Sequence, residues 1–307
     1  MLDRLRARSL AHLATTARVR ARYDRAERLY REALRLAERA HGPAGLEVAH
    51  LLNDLAVVYK YQARFAEALC LYRRALAITR RVRGGDHPDV ATIYHNVGGL
   101  EHARGRYARG ARFMQRAVEI REAALGPDDP DVAADLAALA ALLDGQGKHD
   151  EARSLYLRAL AIFRRELGPE HYEVAIGLNN LGAVAQAQGD APEAERLYRL
   201  ALGAKERLLG RRHPDIAMTL NNLALLYKSQ GRLDEARALY EQSLAIFNSA
   251  FAPNHPKVLT SVANYAVLLR AMGRDAEARD LELYPSGRQY RASRPIFGRG
   301  ATFAPGV

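Results

Sequence analysis

The chain has 307 residues, with 46 lysines and arginines against 35 acids for a formal net charge of +11, and 49% of its residues are hydrophobic. It contains no run of about 18 apolar residues, so no membrane span is expected. The single cysteine, Cys70, excludes an internal disulfide and suits a reducing, cytoplasmic setting.

The first ten residues, Met1 to Leu10, are too charged for a secretory signal. An Arg-rich helical start also suits a transit peptide, but Leu10, Leu13, Tyr23, Ala26, Tyr30 and Ala33 already follow the pattern found downstream, so a first structural unit is expected here. From Val48 the pattern returns every 42 residues without an insertion, at Val48, Val90, Val132, Val174, Ile216 and Val258. Such a period marks a solenoid, because one helical pair cannot bury its apolar face alone and neighbouring pairs must share a core.

Within each unit, a first helix (helix A) is predicted from Leu52, Leu55 and Tyr59, matched by Leu220, Leu223 and Tyr227, at the i, i+3, i+7 spacing of one helical face. A break follows at Gly105, Gly147, Gly189, Gly231 and Gly273, and helix B begins two residues later. Its face is Phe65, Ala68, Tyr72, Ala75 and Leu76, echoed by Leu233, Ala236, Tyr240, Ser243 and Leu244. Gly42, Gly84, Gly126, Gly168 and Gly210 stand where a left-handed residue closes helix B, a series that Ala252 breaks. Pro88, Pro130, Pro214 and Pro256 suit the first turn of helix A, led in by His87, Asp129, His213 and His255. That histidine series predicts no metal site, since residues one repeat apart do not converge on a point.

The second 42-residue unit departs from the pattern. It has Glu101 at a helix A packing position, Gly110 and Met114 in place of Ala and Tyr, and Arg109 in place of Glu. Gly98, Gly99 and Gly110 each weaken a helix by about 0.5 to 1 kcal/mol relative to alanine, so this core reads as underfilled and as a flexible joint. The last helix B starts near Asp275 and meets Pro285 after about ten residues, leaving Leu281, Leu283 and Tyr284 near an open face. That face suits cover by the tail or homo-oligomerisation through the truncated unit. Residues 285–307 hold four arginines and no acid, are rich in Gly and Pro, and read as a basic disordered tail. The solenoid is therefore expected over 1–284, as six to seven helix pairs.

The order apolar-x-x-Leu-Ala/Gly-x-x-Tyr, then Gly-x-aromatic-x-x-Ala-x-x-x-Tyr-x-x-Ala, resembles the tetratricopeptide repeat family. The usual period there is about 34 residues; the longer one here, with openings such as His213-Pro-Asp-Ile-Ala-Met-Thr-Leu-Asn-Asn-Leu-Ala, is similar to the kinesin-light-chain-like subgroup. HEAT and armadillo repeats have comparable periods but do not predict the Gly-aromatic-Ala-Tyr-Ala spacing. The resemblance implies an all-α, right-handed superhelical solenoid of stacked antiparallel helix pairs, whose helix A faces line a concave groove for a partner's peptide segment.

The function expected from this is a non-enzymatic protein–protein interaction scaffold or adaptor. No G-x-S-x-G, P-loop, H-E-x-x-H or C-x-x-C signature occurs, so no catalytic residue, cofactor or metal is predicted. One helix A register outside the core holds Asp54, Asn96, Ala138, Asn180, Asn222 and Asn264. An asparagine offers a donor and an acceptor, and in the family asparagines at this place contact ligand backbone, which the resemblance carries to Asn96, Asn180, Asn222 and Asn264. The other reading is that they satisfy neighbouring helix A groups within the stack. Asn53, Asn179 and Asn221 beside them are weaker candidates. Further along helix A come Lys60, His102, Asp144, Gln186, Lys228 and Arg270, and the Lys228 and Arg270 end is expected to prefer an acidic or carboxylate-bearing peptide. The alternative function is regulatory or nucleic-acid-associated, through the basic ends. Residues 1–40 hold eleven arginines against five acids, while the chain between the two ends is close to neutral, unlike a solenoid gripping phosphates along its length. Five lysines against 41 arginines suggest a bacterial source of high GC content.

Overall fold

The computed structural model describes residues 2–283, in which every regular element is a helix. The described residues form two compact units, divided between Glu173 and Val174. The first holds α1 (Leu2–Val19), α2 (Tyr23–His41), α3 (Leu46–Tyr61), α4 (Phe65–Arg83), α5 (Pro88–Ala103), α6 (Tyr107–Leu125), α7 (Pro130–Asp144) and α8 (His149–Glu166). The second holds α9 (Tyr172–Ala187), α10 (Ala191–Leu209), α11 (Pro214–Ser229), α12 (Leu233–Ala250), α13 (Pro256–Ala271) and α14 (Asp275–Leu283). Odd-numbered helices are helix A and even-numbered helices are helix B. In the first unit each helix A packs on its own helix B, each of α2, α4 and α6 packs on the next helix A, and α1, α3, α5 and α7 touch in series. In the second, α11 packs on α12 and α13 on α14, while α11 and α13 meet directly.

The boundaries have local causes. Helix A of four units starts with proline at its first turn, where the missing N–H has no intrahelical partner to lose. The residue before it is the N-cap: Nδ1 of His87, His213 and His255 accepts the backbone N–H two residues on at 3.1, 3.2 and 3.2 Å, and Asp129 Oδ1 does the same at 2.8 Å. These histidines are caps, each spent on its own helix. Gly42, Gly84, Gly126 and Gly210 close helix B at φ between 75 and 90° with ψ between 153 and 167°, a region essentially reserved for glycine. Where Ala252 ends the series, Phe251 leaves α12 extended, at φ −129°, and its ring stacks on His255 at 4.0 Å.

The core is a ladder of large and small side chains. Tyr30, Tyr72, Tyr198 and Tyr240 are all essentially inaccessible, one helical pair apart or three. Tyr198 fits because a neighbour is small: a methyl group added at Gly182 would stand 2.8 Å from its ring. The same polar clamp appears twice, four repeats apart. Glu27, Arg31 and Arg64 converge on Tyr59, whose ring lies 3.9 Å beneath the Arg64 guanidinium, and Glu195, Arg199 and Arg232 converge on Tyr227 at 3.6 Å.

Two expectations need correction or bounding. The pair α5–α6 is not underfilled. A methyl group at Gly98 would stand 2.8 Å from Met114 Cε, and one at Gly110 would stand 2.6 Å from Leu142 Cδ2 and 3.1 Å from the Gly98 carbonyl, so the glycines admit close approach of filled neighbours. Glu101 is fully buried, yet Arg104 and Arg109 bring guanidinium nitrogens within 3.3 and 3.6 Å of its Oε1, so the two odd residues of this unit answer one another. At the C-terminal end α14 has 9 residues against 18 or 19 for the other B helices, with Leu281 half-buried and Leu283 exposed. Tyr284 and the basic tail from Pro285 lie outside the described residues.

Candidate functional site

Stacking places one asparagine register on successive A helices. In the first unit Asn96 on α5 is half-buried and donates through Nδ2 to Asn53 Oδ1 on α3 at 2.8 Å. Asn53 in turn donates to Asp54 at 3.4 Å, and burial raises the Asp54 carboxyl against the pull of Arg18. Asn53 and Asp54 form one wall of a cleft of about 250 Å³, completed by Ala49, His50, Thr79, Asp89, Thr92 and Ile93. Lys60 is half-buried over the Tyr61 ring at 5.1 Å, and burial, then Arg18, lowers its amine. His102 is held below the usual imidazole value by burial and by Lys60, and its ring meets Tyr107 edge-on at 5.4 Å.

In the second unit Asn222 on α11 donates to Asn179 Oδ1 on α9 at 3.4 Å, repeating the link of Asn96 to Asn53. Asn180 and Asn264 are half-buried, and neither side chain has a hydrogen-bond partner among the described residues. The Oδ1 of Asn221 is buried and unpaired. Lys228 is half-buried and likewise unpartnered among the described residues, whereas Arg270 is exposed and holds Glu282 on α14 at 2.7 Å. The structure thus separates the predicted residues into two kinds: Asn96 and Asn222 link one helix A to the previous one, while Asn180, Asn264 and Asn221 keep unspent polar groups.

Sequence reasoning missed a second polar layer beneath this register. Asp135 on α7 is fully buried, 2.6 Å from His95 Nδ1 and 2.9 Å from an Arg121 nitrogen on α6, and Arg121 also donates to Thr92 at 2.8 Å. In the second unit Lys205 on α10, 4% exposed, donates to Thr219 Oγ1 at 2.9 Å, and that hydroxyl donates to Asn179 at 3.1 Å. Aligning the last turns of helix B would have revealed the layer, since Thr79, Arg121, Phe163, Lys205 and Phe247 share one place in the period.

The tetratricopeptide repeat family model matches residues 5–81, 71–123, 89–165, 136–207, 173–249 and 215–282. The chain belongs to the tetratricopeptide repeat family. Its 42-residue repeats are kinesin-light-chain-like: a Podosopora anserina putative kinesin light chain with nearly identical TPR-like repeats is 25% identical, over 66% of this chain and 96% of that one, with a TM-score of 0.54. The apo form of RapI matches at 15% identity over 94% of this chain and 99% of the other, with a TM-score of 0.69. The apo quorum sensor NprR from B. thuringiensis matches at 15% identity over 90% and 74%, with a TM-score of 0.70. At those identities RapI and NprR show the fold alone, an all-α solenoid of stacked tetratricopeptide helix pairs. No curated protein matches the chain.

Proposed function

We propose that this tetratricopeptide protein is a non-catalytic interaction scaffold that holds an extended peptide segment of a protein partner on its helix A face, through Asn180, Asn222 and Asn264. The observation that carries this reading is the unspent hydrogen-bonding capacity of Asn180, Asn264 and Asn221 on consecutive A helices of the second unit. The amides of Asn180 and Asn264 remain open to water, and a peptide backbone, which carries donors and acceptors alternately, can pair with them whatever its side chains. Asn96 serves the stack first, so the second unit is the stronger half of the surface. Lys228 supports an acidic segment at its end of the row; Arg270 would have to exchange Glu282 for it.

The alternative through the basic ends has weaker support. Near the N-terminus Arg8, Arg31 and Arg39 are already in ion pairs with Glu47, Glu27 and Asp3. Exposed Cys70 suits a reducing cytoplasmic setting, and the exposed Leu283 on the short α14 supports self-association there. The test is capture of partners from a bacterial lysate by wild type and by an Asn180→Ala, Asn222→Ala, Asn264→Ala variant of equal helicity, at low and high salt. Partners that survive high salt and are lost in the variant support the groove. Partners that survive the substitutions and vanish with salt would move the function to the basic ends.

A further inference from the structure

The clamp that seats Tyr59 and Tyr227 has a third place in the period, midway between them, and there it holds no ring. Leu143 on α7 stands where the two tyrosines stand, Ala111 on α6 where Glu27 and Glu195 stand, and Gln115 where Arg31 and Arg199 stand. The cation is kept: Lys148 matches Arg64 and Arg232, and it holds Glu151 at 3.0 Å as those arginines hold Glu67 and Glu235. Leucine, alanine and glutamine together fill less space than tyrosine, glutamate and arginine. The difference appears as a cleft of about 870 Å³ between two B helices, α6 and α8, whose walls include Ala111, Gln115, Leu139, Leu143, Lys148 and Leu155.

A further joint shows what this kind of cleft is shaped for. Where α12 meets α13 the clamp place holds Leu269, and a tyrosine comes instead from one helical turn earlier: Tyr265, whose hydroxyl donates to Glu241 on the preceding helix B at 2.9 Å. The matching residue on α7 is Leu139. Tyrosine thus enters such a joint from either of two places on helix A, and α7 supplies neither. In the filled copies a guanidinium covers the ring at 3.9 and 3.6 Å, and a second arginine donates to the hydroxyl. At the α6–α7 joint those two places hold the Lys148 ammonium and the Gln115 amide, over the apolar side chains of Leu139 and Leu143. A cation above an aromatic face is attractive, and an amide both donates to and accepts from a phenol.

We propose that this cleft is a docking site on the helix B side that takes the tyrosine side chain of a protein partner, its ring on Leu139 and Leu143 beneath Lys148 and its hydroxyl on Gln115. The partner supplies from outside what Tyr59 and Tyr227 supply from within. An aliphatic side chain would cover the leucines and leave Lys148 and Gln115 unmatched, so the site prefers a phenol to a leucine of similar bulk. None of its residues belongs to the asparagine register, so the site stands whether or not the helix A face binds a peptide.

The experiment titrates the full-length, nitrogen-15-labelled chain with an acetylated and amidated Gly-Gly-Tyr-Gly-Gly peptide and with its leucine counterpart. It follows the backbone amide of Leu143 and the side-chain amide of Gln115, in wild type and in a refilled variant carrying Ala111→Glu, Gln115→Arg and Leu143→Tyr, in which only the Leu143 position is followed. The refilled chain rebuilds the clamp from its own residues, so it should melt at a higher temperature than wild type and lose the peptide response. In wild type both groups should shift, with the tyrosine peptide binding about two- to fivefold more tightly than the leucine peptide. Equal binding of the two peptides, or no shift at Leu143 and Gln115, would overturn the site. A refilled variant that melts lower than wild type, or that still responds at position 143, would overturn it too, because the cleft would then not have the shape of the clamp.

Discussion

Tyr72 and Tyr240 show how a residue serves the core at the expense of its own hydroxyl. Both rings are inaccessible and both Oη atoms are buried without a partner, whereas the hydroxyl of Tyr30 pairs with Thr15 at 2.8 Å and that of Tyr198 with Gln186 at 3.0 Å. The ring and the hydroxyl should therefore separate by mutation. Tyr72→Ala or Tyr240→Ala should cost about 3 to 5 kcal/mol, while Tyr72→Phe or Tyr240→Phe should be neutral or stabilising by up to about 1 kcal/mol, because removing an unpaired buried polar group costs nothing. Urea denaturation of the four variants reads both, and equal losses for Phe and Ala would contradict the assignment. His255 gives a second residue-scale prediction. Its Nδ1 caps α13 only as a neutral ring, and burial with nearby Lys257 keeps its value below the ordinary one. Against an unfolded value near 6.5, its contribution is present above that pH and lost as the pH falls below it. Thermal melting from about pH 7 to about pH 5 should therefore drop less for His255→Asp, which copies Asp129, than for wild type. The register that places the tyrosines is readable from spacing alone; which hydroxyls find a partner is not, because Thr15 and Gln186 stand on a neighbouring helix.

At the scale of the element, the pair α5–α6 ties its glycines to its packing. The nearest atom to a methyl group added at Gly99 is Lys60 Nζ at 3.6 Å, ordinary contact, while Gly110 faces Leu142 Cδ2 at 2.6 Å and a backbone carbonyl at 3.1 Å. Gly99→Ala should stabilise by about 0.5 to 1 kcal/mol, the helix-propensity gain, and Gly110→Ala should destabilise despite the same gain, by about 1 to 3 kcal/mol for overpacking. Stabilisation by both in denaturant melts would mean that α5 and α6 pack less closely than described. Helix starts, breaks and the 42-residue order are legible because cap residues, prolines and glycines act locally. The filled state of this pair is not, since Leu142 reaches Gly110 from the following helix A. The partners of Lys205 and Arg121 were hidden for the same physical reason: each contact joins the last turn of one helix B to the next helix A, so the register marks the cations but not what they meet.

For the whole molecule, the proposed function rests on a surface that no single helix owns. The net charge of +11 does not mark a nucleic-acid surface along the repeats, because its excess sits at the two ends and several N-terminal arginines are paired. The feature of the helix A face on which the proposal rests is the unpaired amide capacity of Asn180 and Asn264. The asparagine row was legible in the sequence as a register; its division into residues that link helices and residues left unspent came only with the geometry, since Asn96 and Asn222 are identical to Asn180 and Asn264 in type and place. The most direct measurement is an NMR titration of nitrogen-15-labelled chain with a peptide selected from a random synthetic library, following the side-chain amide groups of Asn180, Asn222 and Asn264. The account predicts that Asn180 and Asn264 shift first and most, with Asn96 nearly unmoved. Binding that leaves all three second-unit asparagines unshifted would contradict it.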